Sequence, residues 1–247
     1  MRDNTMTSLN NFLFIAFPYI AIVVFFIGTI YRYKSTAFTV SSMSSQFLEG
    51  KTVFWGIVPF HFGIIIIFLG HLLVFLLPED VLRWNSNPER LILHEGIGFT
   101  FGISVLLGLS ILVVRRWLNP RLQMVTNRMD VVIEVLLLAQ IVLGLWIALG
   151  YRWGSSWFAA DLSPYLWSIF KFDPQIKAVS ALPVVIKLHI VGAFLIFLLI
   201  PFTRLMHFLV APFHYIGRRY QVVMWNWDKD QVRNPKTAWQ VTRPKNN

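Results

Sequence analysis

Residues 55–77 read WGIVPFHFGIIIIFLGHLLVFLL, and residues 183–210 read PVVIKLHIVGAFLIFLLIPFTRLMHFLV. At about 1.5 Å of rise per residue, either stretch is long enough to cross a hydrocarbon layer of about 30 Å as a helix. Neither holds an Asp or Glu, and the charges of the second, Lys187 and Arg204, stand near its ends. Each carries two histidines, His61 and His71 in the first and His189 and His207 in the second. Imidazole is costly in hydrocarbon and is seldom placed there without a partner. The two stretches therefore set both the fold class and the chemical question.

Working outward, three further apolar runs occupy residues 12–31, 91–114 and 131–149. The 247 residues are 56% hydrophobic and 16% aromatic, with a mean hydropathy of +0.59, which excludes an ordinary soluble domain. The short alternating strands of a membrane barrel are missing from the pattern. The expectation is an all-α, polytopic bundle of five transmembrane helices in the cell membrane, with 1–210 as the membrane domain. The remainder, 211–247, is basic and carries Trp225, Trp227 and Trp239. It reads as a cytoplasmic docking arm. The first run lacks a small-residue cleavage site and has only Arg2 ahead of it, so it reads as a retained helix.

Charge sets the expected orientation. Residues 115–129 carry Arg115, Arg116, Arg121 and Arg128 with no acid, and the C-terminal tail is likewise basic. Residues 78–90 balance Arg83 and Arg90 against Glu79, Asp80 and Glu89. Positive charge stays inside, so the N-terminus is expected outside and the C-terminus in the cytoplasm. The net charge of +10 then reports on anionic headgroups and acidic partners, not on nucleic acid. The linker 151–182, with Tyr151, Trp153, Trp157, Tyr165 and Trp167, reads as an outer headgroup belt or a short helix on the surface.

Antiparallel packing of 55–77 against 183–210 pairs His61 with His207 near the inner face and His71 with His189 near the outer face. Two such pairs are what two bis-histidine b-type haems need. His189 and His207 are 18 residues apart, five whole turns and about 27 Å on an unbroken helix. His61 and His71 are 10 apart, about 15 Å with a rotation of about 80°. The mismatch of about 12 Å must be absorbed by the porphyrins, by tilt and by a kink at Pro201. Gly63, Gly70 and Gly192 either make room for a flat ligand or serve helix packing. With no cysteine, c-type attachment and cysteine-held iron–sulfur clusters are excluded on this chain.

Other polar residues are less decided. His94, beside Glu95, either exchanges protons with a quinol or is interfacial. His214 reads as a surface residue. Arg204 either pairs with a haem propionate or reaches the headgroups. Gln140 suits a bond across helices, and Glu134 has no evident partner.

The segments FHFGIIIIFLGH (60–71), VVRRWLNPRLQ (113–123), LLLAQIVLGL (136–145) and KLHIVGAFLIFLLIPFTRLMH (187–207) carry a resemblance. Over nearly its whole length the chain resembles the gamma (cytochrome b) subunit of membrane-bound respiratory nitrate reductase. The resemblance implies two haem b groups held by the pairs His61/His207 (inner) and His71/His189 (outer). It also implies oxidation of quinol near the outer haem. Electrons then pass to an iron–sulfur beta subunit and on to a molybdenum-bearing alpha subunit that reduces nitrate. Where the family uses a quinol-binding lysine at the outer start of the third helix, this chain has Arg90, with His94 one turn later. Arginine keeps the charge but does not readily yield a proton. The linker 151–182 and the tail after Tyr220 match poorly.

Two other readings remain. In one, the subunit serves a related molybdenum or iron–sulfur oxidoreductase, such as a nitrite oxidoreductase or a sulfur-compound reductase. Alternatively the chain is a haem-free membrane anchor or a transporter, although the internal repeat common in transporters is missing.

Overall fold

The computed structural model of the chain describes residues 2–36 and 53–209. The expected docking arm, 211–247, and His214 within it lie outside the described residues. Among the described residues, five helices are long and apolar enough to cross a membrane. Helix α1 runs from Arg2–Asn11 through a π-helical stretch, Phe12–Ala16, into Phe17–Thr36. Helix α2 is Val53–Leu76, α3 is the short Pro78–Asn85, α4 is Pro88–Leu118 and α5 is Arg128–Gly150. Helix α6 is Ser163–Phe170 and α7 is Val184–Leu199. The all-α, five-span expectation therefore holds.

Most of the apolar surface of these helices points outward. Phe26, Ile27, Phe62, Ile65, Phe68, Leu107, Val135 and Trp146 are all exposed. In water this would be a large aggregation-prone surface; in a bilayer it is the solvated face.

The close-packed helix pairs are α2 with α4, α7 with α1, α7 with α5, and α4 with α5. Glycine sets the first of these. A Cβ at Gly108 of α4 would stand 2.5 Å from the Phe60 backbone nitrogen and 2.8 Å from the Gly56 oxygen of α2. One at Gly63 would stand 2.5 Å from Val105 and 3.0 Å from the Phe101 oxygen. Gly63 therefore serves helix packing, the small-residue contact by which membrane helices approach closely. Helix α2, which carries His61 and His71, is not close-packed against α7, which carries His189.

The linker 151–182 contains the short helix α6 and keeps Trp153 and Trp167 exposed, but its other face is packed on the bundle. Leu162, Tyr165, Ile169 and Val179 are buried in the main apolar core with Phe14, Ile147, Ile186 and Ile190. Its hydroxyl and indole groups satisfy carbonyls on other helices. Pro18 lacks the N–H that would bond Phe14, the helix widens to π geometry there, and the Tyr165 hydroxyl donates to the Phe14 oxygen at 2.8 Å. Pro78 similarly leaves the Val74 oxygen free, and the Ser163 hydroxyl donates to it at 2.9 Å. The Trp167 indole donates to the Phe75 oxygen at 2.9 Å. In hydrocarbon an unmet carbonyl costs several kcal/mol, so these contacts decide where the linker sits.

The fifth span also departs from the unbroken 183–210 helix expected. The α-helix stops at Leu199. A 3-10 turn, Ile200–Phe202, is followed by extended Thr203 (φ −121°, ψ 173°) and a second 3-10 turn, Arg204–Phe208. His207 is therefore not five α-helical turns beyond His189. The break lies at Pro201, where a kink was expected, and it goes further than a kink because Thr203 leaves helical geometry altogether.

Burial and, secondarily, the neighbouring Tyr19 phenol push the Tyr165 hydroxyl well above the ordinary tyrosine pKa, so it remains a donor throughout the physiological range. Tyr165→Phe leaves the buried Phe14 carbonyl without its donor. It is expected to lower stability by about 1–3 kcal/mol, read as a lower thermal midpoint of the detergent-solubilised protein.

Candidate functional site

The four intramembrane histidines meet in two pairs. The rings of His61 and His207 have centroids 6.2 Å apart, and those of His71 and His189 are 6.5 Å apart. These are the partners that antiparallel topology leads one to expect. The pairs bridge α2 and the fifth span across a gap that helix packing does not close.

The hydrogen bonds of the rings orient them. His61 Nδ1 lies 3.0 Å from the Ile57 oxygen, His71 Nδ1 lies 2.8 Å from the Ile67 oxygen and His207 Nδ1 lies 2.7 Å from the Arg204 oxygen. A carbonyl only accepts, so each Nδ1 carries a proton. In the neutral tautomer with Nδ1 protonated, Nε2 bears the lone pair through which imidazole binds a metal. His189 differs: its Nδ1 is buried without a hydrogen-bond partner. Gly144 of α5 permits that ring its place, because a Cβ there would stand 3.2 Å from His189 Cε1. Gln140 Nε2 donates to the His189 backbone oxygen at 2.8 Å and ties α5 to α7, as its place within an apolar run suggests. Gly192 faces Gln140 and no ligand space, whereas Gly70 has nothing within 4 Å.

These features fit a haem. Two imidazoles bound to one metal through nitrogens at about 2 Å place their ring centres about 6 Å apart. Both observed separations agree. Among the described residues, no group of three or more His, Cys, Asp or Glu side chains gathers to hold a bare ion. Two imidazoles alone would leave such an ion short of ligands, but they complete a metal that brings its own equatorial nitrogens. Helix α2 does not pack closely on α7, the His71 ring is exposed and nothing lies within 4 Å of a Cβ at Gly70, an openness compatible with a flat macrocycle beside that ring.

The residues around His207 form a strap held from two sides. Arg204 Nε pairs with Asp130 Oδ1 at 3.2 Å, and Arg204 Nη2 donates to the Val125 oxygen at 2.8 Å. The guanidinium thus has protein partners, and three of its five N–H donors remain for any other anion. Asp130 is only 3% exposed and also closes a reciprocal cap with Asn127 at the start of α5. It was missed in the sequence, although Asn-x-x-Asp ahead of an apolar run is a capping signature. Glu134 does have a partner: Arg116 Nη1 is 3.0 Å from its Oε1.

At the other end, Arg90 lies over the Trp84 ring at 4.8 Å. His94 Nδ1 lies 3.3 Å from Asn85 Oδ1, while Asn85 Nδ2 donates to the Ser155 and Ser156 hydroxyls at 2.9 and 3.0 Å. Glu95 accepts from the Ser155 backbone N–H at 2.8 Å and from its hydroxyl at 2.6 Å. Two residues beyond Ser156, the Phe158 ring stands edge-on to His71 at 5.7 Å. Arg90 and His94 are thus part of one corner formed by α3, α4 and the linker, and the linker continues to the His71 ring.

Comparison with known proteins gives a consistent pattern. A family model described as nitrate reductase gamma subunit matches residues 10–226. The chain is 32% identical to the nitrate reductase gamma chain of Bacillus subtilis, over 83% of this chain and 93% of the relative. It is 35% identical to the respiratory nitrate reductase 2 gamma chain of Escherichia coli, over 87% and 96% respectively. It is also 28% identical to the nitrate reductase-like protein NarX of Mycobacterium tuberculosis, where 90% of this chain matches 35% of the longer relative.

Asp130→Ala removes the cap of α5 and the counter-charge of Arg204 together. An expected loss of about 1–3 kcal/mol is checked by thermal unfolding in detergent, with Asp130→Asn, which retains the acceptor, losing less.

Proposed function

The chain belongs to the nitrate reductase gamma subunit family, and from that premise we propose that it is the dihaem cytochrome b subunit of a respiratory nitrate reductase. Nitrate chemistry then belongs to another subunit. The observation that carries the reading is the pairing of four imidazoles at metal-bridging separations, two on α2, one on α7 and one on the turn that follows it, where α2 and α7 do not otherwise pack.

His61 and His207 would hold one haem b, and His71 and His189 the other. The Nδ1 bonds of His61, His71 and His207 to main-chain oxygens fix ring orientation and strengthen each imidazole as a donor. When bound there, the haems supply single-electron transfer across the bilayer. By the positive-inside rule, the arginine-rich turn 115–129 is cytoplasmic, which puts the His61/His207 end near the cytoplasm and the His71/His189 end near the outer face. An iron–sulfur beta subunit docks at the cytoplasmic end and leads to a molybdenum alpha subunit.

Quinol binds at the outer corner. The Asn85 carbonyl oxygen accepts from His94 Nδ1, which leaves His94 Nε2 free to take a hydrogen bond, and then a proton, from a quinol hydroxyl. Arg90 supplies positive charge one turn earlier but remains protonated. The Glu95 carboxylate, held by Ser155, keeps the linker against α4. Arg204 keeps donors available for a propionate beside its bond to Asp130. Electrons released outside and delivered inside carry charge across the membrane, each worth about 2.3 kcal/mol per 100 mV.

The assignment is tested by single substitutions in the assembled complex. His61→Ala and His207→Ala are expected to abolish the same b-haem signal, and His71→Ala and His189→Ala the other one. In potentiometric titration of membranes each variant then shows one component where the wild type shows two. His94→Ala is expected to slow reduction of the b haems by added quinol at least tenfold without lowering haem content. Loss of signals in any other pairing contradicts the ligand assignment.

A further inference from the structure

The break in the fifth span leaves irregular backbone between the two histidines it carries, at membrane depth, and that backbone is held by a residue of another helix. Arg32 of α1 donates from Nη1 to the Pro201 oxygen at 2.6 Å and to the Thr203 oxygen at 2.8 Å. One turn earlier on the same face, Gly28 receives the proline ring: a Cβ there would stand 2.8 Å from Pro201 Cβ and 3.0 Å from its Cγ. Pro201 and Thr203 are both buried. The Thr203 hydroxyl accepts from the Leu205 backbone N–H at 3.3 Å and starts the next turn, so the Pro201 oxygen does not receive that donor. Gly28 and Arg32 thus form a seat and a clasp for the break.

The clasp lies close to a candidate ligand. Thr203 is followed directly by Arg204, whose carbonyl accepts from His207 Nδ1 at 2.7 Å and so orients that ring towards His61. From the opposite side Asp130 and the Val125 oxygen hold the Arg204 side chain. We infer that Arg32 is a positioning residue for His207, and that its clasp on the Pro201–Thr203 break sets the geometry of the His61/His207 haem alone. The inference rests on the dihaem reading above. It follows from where the guanidinium bonds: both carbonyls belong to the short segment between α7 and the His207 turn. His189 is a full α-helical segment away, tied instead by Gln140 and bordered by Gly144.

The physical basis is selective. A guanidinium presents several donors in a fixed fork, so one arginine can hold two main-chain oxygens at a set spacing. Asp130 and Val125 anchor Arg204 independently, so losing Arg32 loosens the strap without releasing it. The expected consequence is a reoriented ligand, seen in the electronic properties of one haem.

The experiment uses the assembled complex with Arg32→Gln, Arg32→Ala and Arg32→Lys. The readouts are haem content, redox titration and the low-temperature electron paramagnetic resonance of the two low-spin haems. The components are assigned by which signal His207→Ala removes. Retention of two haems in Arg32→Gln, with a shifted midpoint and resonance for the His61/His207 component only, is the expected result. Arg32→Lys, which restores a cationic donor, is expected to lie between Arg32→Gln and the wild type. Unshifted signals in both Arg32→Gln and Arg32→Ala would overturn the inference, as would equal shifts of both components. Loss of both haems in Arg32→Ala beside an unshifted Arg32→Gln would also count against it. A wild-type protein without two b haems would defeat the dihaem reading itself, an outcome separable from any effect at Arg32.

Discussion

The structure depends on keeping two imidazole pairs at a fixed spacing inside hydrocarbon. Helices α2 and α7 do not pack on each other, yet the α2 histidines meet His189 of α7 at 6.5 Å and His207 of the turn beyond it at 6.2 Å between ring centres. Such a gap cannot hold itself open. Helix α2 is held from behind by α4 through the glycine contacts at Gly56, Gly63 and Gly108. Helix α7 is held by α1 and α5, the latter through Gln140 and the His189 carbonyl. The bundle therefore reads as a frame around the space between two helices. Frames of this kind are how helical bundles present ligands to a metal in their interior.

A second constraint is the need to satisfy main-chain carbonyls away from water. Two prolines and one helix break create that need, and each is answered by a donor from far away in the chain. Tyr165 takes the Phe14 oxygen freed by Pro18, and Ser163 takes the Val74 oxygen freed by Pro78. At the third, Arg32 holds the oxygens of Pro201 and Thr203. Irregular backbone is tolerated at membrane depth only where protein supplies such partners. This explains why an aromatic linker that looks like an interfacial belt is packed on the bundle along one face. It also explains how the fifth span can break between its histidines without exposing polar backbone to lipid.

The parts of this architecture visible in the sequence are those written in local pattern. Length and hydropathy mark four of the five spans to within about five residues, because a helix in lipid has few other solutions, but they carry the fifth to 210, past its end at Phe202. The depth order of the histidines along antiparallel spans gives the partners His61/His207 and His71/His189. Equal spacing along straight helices would have left about 12 Å unaccounted for. The structure absorbs it by ending α7 at Leu199 and turning the chain at Thr203. Pro201 signalled a disturbance there, but neither its form nor its clasp was legible, because Arg32 is 169 residues away from Pro201. Gly144, the Arg204 partner of Asp130 and the burial of Tyr165 were not legible for the same reason: their contacts are brought in by tertiary packing. Arg204 looked like a free cation because its counter-ion sits on another helix.

The central claim is that each histidine pair holds one haem b. It is tested most directly by a pyridine haemochrome assay, with a dithionite-reduced minus oxidised spectrum, on the purified complex normalised to this subunit. Two b haems per chain are predicted. One haem would mean that one of the two pairs is not a ligand set, and none in a fully assembled preparation would contradict the account outright.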